Sequence, residues 1–454
     1  MQEIEIKNNG PVKDFRMEVN KFNLLIGEQA TGKSTIGKSV YFFRTIKTVI
    51  INYLIQVCDT NTYQGKKQDG VKFTKAVQKE LKDIFIKLFG YSWDLDSNLQ
   101  MKYSFAEEKW VKVALSGVAQ NGKHLITVDF SERLYQEIKT LQRQVQEVYR
   151  SNCSTNLMTS LALTNEERKR NHEIIIRNIN EIFQDNCETY YIPAGRSLLT
   201  VMSSNRSLMN SATNLDLITD RFMMLIDDIR EKFSQGLRLA YRYYPIEERH
   251  IDVKQLAEQV VSIQKGEYFY TKGRESIHIP ENSEHPIAIN FASSGQQEVL
   301  WLLNFLYVLL LREEKAFVII EEPEAHIFPS LQKKLVEYIA RFANFGDNAV
   351  MITTHSPYVL TVMNNLYYAG VLAGEGKGRA VREAVRRNAF SDKCIIEQGK
   401  LSAYKLMQQP EEGKYYQSLL AEDGREIQSE LIDEVSGAVN RLYTSLYDIE
   451  LNEE

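Results

Sequence analysis

Gly27-Glu28-Gln29-Ala30-Thr31-Gly32-Lys33-Ser34-Thr35 follows the short apolar run Phe22–Ile26 and opens a helical pattern that runs from Ser34 to about Val57. The segment satisfies G-x-x-x-x-G-K-[ST] at every fixed position, in a strand–loop–helix context. Glycines let such a loop wrap phosphates, and the free amides at the helix start donate to them. Lys33 is expected to reach the β- and γ-phosphates, and the Ser34 hydroxyl to ligate Mg²⁺. Gly27, Gly32, Lys33, Ser34 and Thr35 therefore form the candidate nucleotide cradle. Taken alone, the loop specifies a bound ATP or GTP and nothing more.

A second apolar run, Phe317–Ile320, ends in Glu321-Glu322. In phosphate-loop ATPases a carboxylate at such a strand end holds magnesium through water, and a neighbour orients the attacking water. Glu321 is the candidate metal residue and Glu322 the candidate general base. Two glutamates after an apolar run are by themselves a common solvated strand end, and the phosphate loop upstream is what gives them meaning. Glu321 stands where Asp is more usual, so its side chain is one methylene longer.

Two further stretches complete the set. Ala292-Ser293-Ser294-Gly295-Gln296-Gln297 precedes a strongly apolar helix, Val299 to Leu310. Ser and Gly at a helix start offer free amides and a capping hydroxyl, although an ordinary helix cap reads the same way. Thr353-Thr354-His355-Ser356-Pro357 follows the apolar strand Ala349–Ile352. That places His355 at the end of a neighbouring strand, where it can donate to a γ-phosphate.

The rest of the chain bounds the possibilities. Its 454 residues are 43% hydrophobic and 25% charged with a formal charge of −5, ordinary for a globular protein and against an all-over basic coat. Cys58, Cys153, Cys187 and Cys394 show no C-x-x-C pairing, which argues against a disulfide framework or a zinc site and for a reducing compartment. The start MQEIEIKNNG lacks the regions of a signal peptide, and Val299–Leu311 is too short to span a bilayer. A cytoplasmic location and no membrane association are expected.

Strands are expected at Glu3–Lys7, Leu99–Phe105, Trp110–Leu115 and His124–Phe130, with a hairpin turn at Asn121-Gly122. Leu134, Ile138, Leu141, Val145 and Val148 make a heptad-like stripe. A second helix is expected from a capping box at Thr164, with Ile175, Ile179 and Ile182 on its apolar face. This helical hairpin, read as a packing or dimerisation element, would be inserted at residues 131–185 into one composite domain of residues 1–130 and 186–454. Asn214–Ala240 reads as one amphipathic helix, and Ile427–Leu446 as a terminal helical stretch.

The order Gly27–Ser34, Ser293–Gln296, Ile320–Glu324, His355 resembles the ABC-type ATPase head. Within that class it is most similar to the group containing SMC, RecF and OLD proteins. IEEPEAHIFPSLQ and TTHSPYVL resemble the "EPE…H…P…Q" and "THSP" stretches of OLD-like ATPases of DNA repair and anti-phage defence, and Tyr191–Arg196 resembles another of their segments. The resemblance implies an α/β fold, a P-loop head whose mixed central sheet is flanked by helices and joined by antiparallel strands. It also implies two heads enclosing two ATP molecules. Ser293, Gly295 and Gln296 would then act in trans, as the signature, while Lys33, Ser34, Glu321, Glu322 and His355 act in cis. Ser294 departs from the usual signature glycine and Phe328 from a common Leu or His. No residue is assigned to a glutamine loop.

Three functions compete on these grounds. The first is an ATP-driven switch, a homodimer or higher homo-oligomer that hydrolyses ATP with Mg²⁺ and controls a separate nuclease or toxin. The second is the ATPase subunit of a membrane transporter, disfavoured by the long stretch between Gly27 and Ser293. The third is an ATP-gated scaffold with little turnover. No fused nuclease is expected, because Asp423-Gly424 and Glu430, Asp433 and Glu434 read as solvated positions. Arg379, Arg382 and Arg386 share one helical face and could neutralise DNA phosphates or dock a partner. Arg196 is a candidate phosphate or interface arginine.

Overall fold

The computed structural model describes residues 2–59, 73–90, 98–118, 124–154, 165–204, 215–244, 252–279, 286–411 and 413–428. The Asn121-Gly122 turn, Thr164, and the terminal helical stretch beyond residue 428, with Glu430, Asp433 and Glu434, lie outside them. In chain order the strands are β1 (Gln2–Asn9), β2 (Val12–Val19), β3 (Phe22–Gly27), β4 (Gln100–Ala106), β5 (Lys109–Val118), β6 (His124–Phe130), β7 (Glu188–Ile192), β8 (Glu267–Thr271), β9 (Arg274–His278), β10 (Ile287–Ala288), β11 (Ala316–Glu321), β12 (Ala349–Thr354), β13 (Leu401–Glu411) and β14 (Lys414–Ser418). The α-helices are α1 (Lys33–Asp59), α2 (Phe73–Phe89), α3 (Glu132–Ser154), α4 (Asn165–Phe183), α5 (Arg196–Ser204), α6 (Leu217–Arg230), α7 (Val253–Gln264), α8 (Ser294–Leu311), α9 (Pro329–Asn344), α10 (Pro357–Leu372) and α11 (Gly378–Arg387).

The central sheet has the order β14-β13-β3-β12-β11-β7, parallel from β13 to β7, with β14 antiparallel at the edge. A five-stranded antiparallel sheet, β2-β1-β4-β5-β6, and a three-stranded one, β10-β9-β8, accompany it. The fold is thus α/β, with the mixed sheet, flanking helices and antiparallel strands that the sequence led one to expect.

Side-chain alternation along the parallel strands builds a core on each face. Leu24, Ile26, Val318, Ile320, Val350 and Ile352 join the apolar helix α8 on one side. Leu25, Phe317, Ile319 and Met351 join α1 and the five-stranded sheet on the other. The α3–α4 hairpin belongs to that second core. Leu134, Ile138, Leu141, Ile175, Ile179 and Phe183 are buried with Phe42 and Phe43 of α1, so these positions of the hairpin pack within the chain.

The helix expected over Asn214–Ala240 is shorter. Asp216 caps α6, which ends at Arg230, and two 3₁₀ turns follow, Glu231–Phe233 and Leu237–Tyr243. The break falls at Gly236, whose φ of +88° suits glycine and whose missing Cβ would meet the Phe269 ring at 2.6 Å.

Candidate nucleotide site

Strand register decides which side chains meet. β3 lies between β13 and β12, and β12 lies between β3 and β11. Thr354 pairs with Ile26, and Glu321 with Thr353, so the phosphate loop, His355 and Glu321-Glu322 leave adjacent strand ends on one edge of the sheet. Ligands of open parallel sheets bind beyond these carboxyl ends. A cavity of about 800 Å³ lined by Phe22, Phe317 and Ala349 lies at the opposite strand ends, away from this chemistry.

The loop needs its glycines. At Gly32, φ is +96° and a Cβ would lie 2.5 Å from Val12 Cγ2; at Gly27 it would lie 2.5 Å from the Leu406 carbonyl. Lys33 is buried, and its Nζ donates to the carbonyls of Gly27 and Glu28, both at 2.7 Å, with His355 Nδ1 at 3.4 Å. Desolvation pushes the Lys33 ammonium down to about 8, against the raising pull of Glu322, Glu324 and Glu321.

His355 Nε2 lies 2.8 Å from Glu322 Oε1. The imidazole stands between the Lys33 ammonium and the Glu322 carboxylate, with one ring nitrogen facing each. The three side chains thus form one line, Lys33–His355–Glu322. Glu322 itself is held at φ +42°, a left-handed conformation unusual for a residue with a Cβ, while its N–H donates to Thr353 O at 2.8 Å. Such strain concentrates where a side chain must be aimed.

Glu321 is buried and positioned by two donors. Tyr191 Oη donates to Oε1 at 2.7 Å and the Ala194 N–H to Oε2 at 3.2 Å. Each carboxylate oxygen keeps a second lone pair, and the Ser34 side of the loop is exposed. A hydroxyl and a carboxylate are hard oxygen donors, which suit Mg²⁺. The buried cradle and its ammonium likewise suit a polyphosphate.

The stretches around these groups interlock. Glu324 Oε1 accepts from Thr354 Oγ1 at 2.5 Å, from His355 N at 2.8 Å and from Ser356 N at 3.2 Å. Ser356 Oγ donates to Gln332 Oε1 at 2.6 Å. Glu324, Gln332 and Tyr191 were not singled out as site residues, although all three lie in the segments quoted for the family resemblance. They act through backbone amides and other side chains, which spacing does not reveal.

Ser293 caps α8 in a reciprocal capping box: its Oγ accepts from Gln296 N, and Gln296 Oε1 accepts from Ser293 N at 3.1 Å. Ser293 is exposed, and a Cβ on Gly295 would lie 2.8 Å from the His326 carbonyl. Three large apolar side chains next to these segments face solvent: Phe291 is 85%, Phe328 73% and Leu198 63% exposed. Arg196 corrects its expectation. It is fully buried inside the chain, 0% exposed. The Arg379, Arg382 and Arg386 face exists on α11, but Arg379 pairs with Glu383 and Arg386 with Asp392.

A strand, phosphate loop and helix with an ammonium at the loop centre and carboxylates two strands away define a phosphate-loop nucleotide-binding protein. The model of the AAA ATPase domain family matches residues 1–360, and the chain belongs to that family. No curated protein matches the chain. Among solved structures, the SMC head domain from Thermotoga maritima is similar at a TM-score of 0.33 and 9% identity, covering 79% of this chain and 90% of that one. An SMC head bound to the C-terminal winged-helix domain of ScpA has a TM-score of 0.35 and 10% identity, with 79% and 90% covered. An SMC head with an extended coiled coil, bound to the C-terminal domain of ScpA derived from Pyrococcus furiosus, has a TM-score of 0.33 and 11% identity, with 80% and 92% covered. Among the described residues no helix is long and apolar enough to cross a membrane.

Proposed function

We propose that the chain is a cytoplasmic switch ATPase. It binds and hydrolyses ATP with Mg²⁺, closes head to head with a second copy, and controls a separate nuclease or toxin in anti-phage defence or DNA repair. The reading treats residues 1–130 and 186–454 as one composite head carrying the 131–185 hairpin. The Lys33–His355–Glu322 line carries it, because it joins a phosphate-binding cation to a candidate base through a residue able to contact both. Bound Mg·ATP would supply the γ-phosphoryl electrophile.

The chain's own residues then have separable tasks. Lys33 exchanges its loop carbonyls for phosphate oxygens, and Ser34 and Glu321 hold the metal. Glu322, partly exposed and 2.8 Å from His355 Nε2, takes a proton from water. Ser293, Gly295 and Gln296 on the exposed start of α8 would complete the site of the second copy. The apolar side chains of Phe291, Phe328 and Leu198 support association at this end of the molecule. Direct DNA contact through Arg379, Arg382 and Arg386 is a secondary reading. It is favoured by the 92% exposure of the Arg379 side chain and by the small worth of exposed ion pairs, about 0–1 kcal/mol each.

Ser293→Arg tests the closure. The variant should bind ATP as the unaltered chain does and fail to associate on adding ATP, measured by sedimentation. Unchanged ATP-dependent association would remove the role given to α8.

A further inference from the structure

Behind the carboxylates, a fully buried ion pair joins the two ends of the proposed switch. Arg196 Nε donates to Glu298 O at 2.9 Å. Its Nη1 donates to Pro193 O at 2.9 Å and Glu321 O at 2.6 Å, and its Nη2 to Glu322 O at 2.8 Å. Glu298 answers from α8. Oε2 accepts from Arg196 N and Oε1 from Ser197 N, both at 3.1 Å, with the guanidinium 3.4 Å from Oε2. His326, on the loop after Glu324, approaches Oε1 at 3.5 Å. Arg196 and Glu298 are both 0% exposed.

Burying two charges is a costly way to hold a helix against a strand, and apolar contact does that work along the rest of α8. What apolar groups cannot do is grip four backbone carbonyls from three segments at once. A planar guanidinium with five donors can. The carbonyls of Glu321 and Glu322 belong to the residues proposed to hold metal and activate water. Glu298 belongs to the helix whose first residues are proposed to engage the second copy.

We propose that Arg196 and Glu298 are a positioning pair that ties the start of α8 to the Glu321–Glu322 strand end, so that seating Ser293 on a second copy sets the carboxylates of its own chain. The inference rests on the homodimer reading above. A shift of the α8 start cannot leave the strand end behind without breaking charge-assisted hydrogen bonds in a dry interior, where they are strongest. Assembly and hydrolysis are therefore coupled within each chain, and turnover per chain rises with protein concentration.

Glu298→Gln keeps the shape and the acceptor oxygen while removing the charge. Arg196→Lys keeps the charge and loses the fork. Each full-length variant is compared with the unaltered chain for melting temperature, ATP affinity, ATP-dependent sedimentation and turnover per chain across protein concentration. For a variant that melts within a few degrees of the unaltered chain, ATP affinity and association should hold within about threefold. Turnover at saturating ATP should fall at least about tenfold and lose its concentration dependence. If that variant keeps concentration-dependent turnover, the pair is only a structural clamp and the inference fails. If both variants melt well below the unaltered chain, the pair serves stability first and the inference fails too. Should the unaltered chain neither assemble with ATP nor gain turnover with concentration, the homodimer reading itself is what fails.

Discussion

Lys33 gives the site a pH dependence with a definite sign. Burial lowers its ammonium to about 8 in the empty chain, so the charged form is disfavoured until an anion arrives. Phosphate oxygens reverse this, because they replace neutral carbonyls with negative charge. At about pH 7 the empty chain already carries the proton, and binding takes up almost none. At about pH 9 only roughly one chain in ten carries it, so ATP binding must draw a proton from solution. The apparent affinity then falls roughly tenfold, a cost of about 1.4 kcal/mol. In the empty chain the same depressed value opposes folding most below pH 8. That penalty is relieved as pH rises from about 8 to the ordinary lysine value of 10.5. The assay is titration with a fluorescent ATP analogue at about pH 7, 8 and 9. Calorimetry in two buffers of different ionisation heat counts the proton. Uptake should rise from near zero to near one, and Lys33→Ala should abolish binding. Affinity that stays flat to about pH 9, with no proton uptake, would refute the depressed Lys33 ammonium, and ATP binding retained by Lys33→Ala would refute its assignment as the phosphate ligand.

Other outcomes follow from single contacts. Tyr191→Phe removes the 2.7 Å donor from Glu321. ATP affinity should change little, while the Mg²⁺ concentration for half-maximal hydrolysis rises about tenfold, in keeping with lost outer-shell support; an unchanged Mg²⁺ requirement would separate Glu321 from the metal. Phe291→Ser and Phe328→Ser alter side chains that are 85% and 73% exposed, so stability should move by less than about 0.5 kcal/mol. The double variant should bind ATP normally and lose about tenfold or more in ATP-dependent association, read by sedimentation.

Much of this was legible in the sequence because short-range rules govern it. A glycine-spaced loop between an apolar run and a helix reads as a phosphate cradle wherever it occurs, and β3, the loop and α1 follow that reading. Glu321, Glu322 and His355 were readable as strand-end residues, and the parallel register of β3, β12 and β11 brings them to one edge. What spacing could not show is who holds whom. Glu324 secures the His355 loop through amides, and Tyr191 reaches Glu321 across neighbouring strands. Arg196, read as a candidate phosphate or interface arginine, instead finds Glu298 across a long interval of sequence. An arginine after a turn looks alike whether it faces water or a buried carboxylate. Amphipathic periodicity continues to Ala240 and hides both the change from α6 to a 3₁₀ turn after Arg230 and the left-handed turn at Gly236, at φ +88°.

The most direct test is Glu322→Gln, which replaces the proposed base with a neutral amide of the same shape. With ATP and Mg²⁺, the variant should bind nucleotide as tightly as the unaltered chain, hydrolyse it at least about a hundredfold more slowly, and accumulate as a stable assembly of two copies. Normal hydrolysis, or bound ATP with no assembly, would contradict the account.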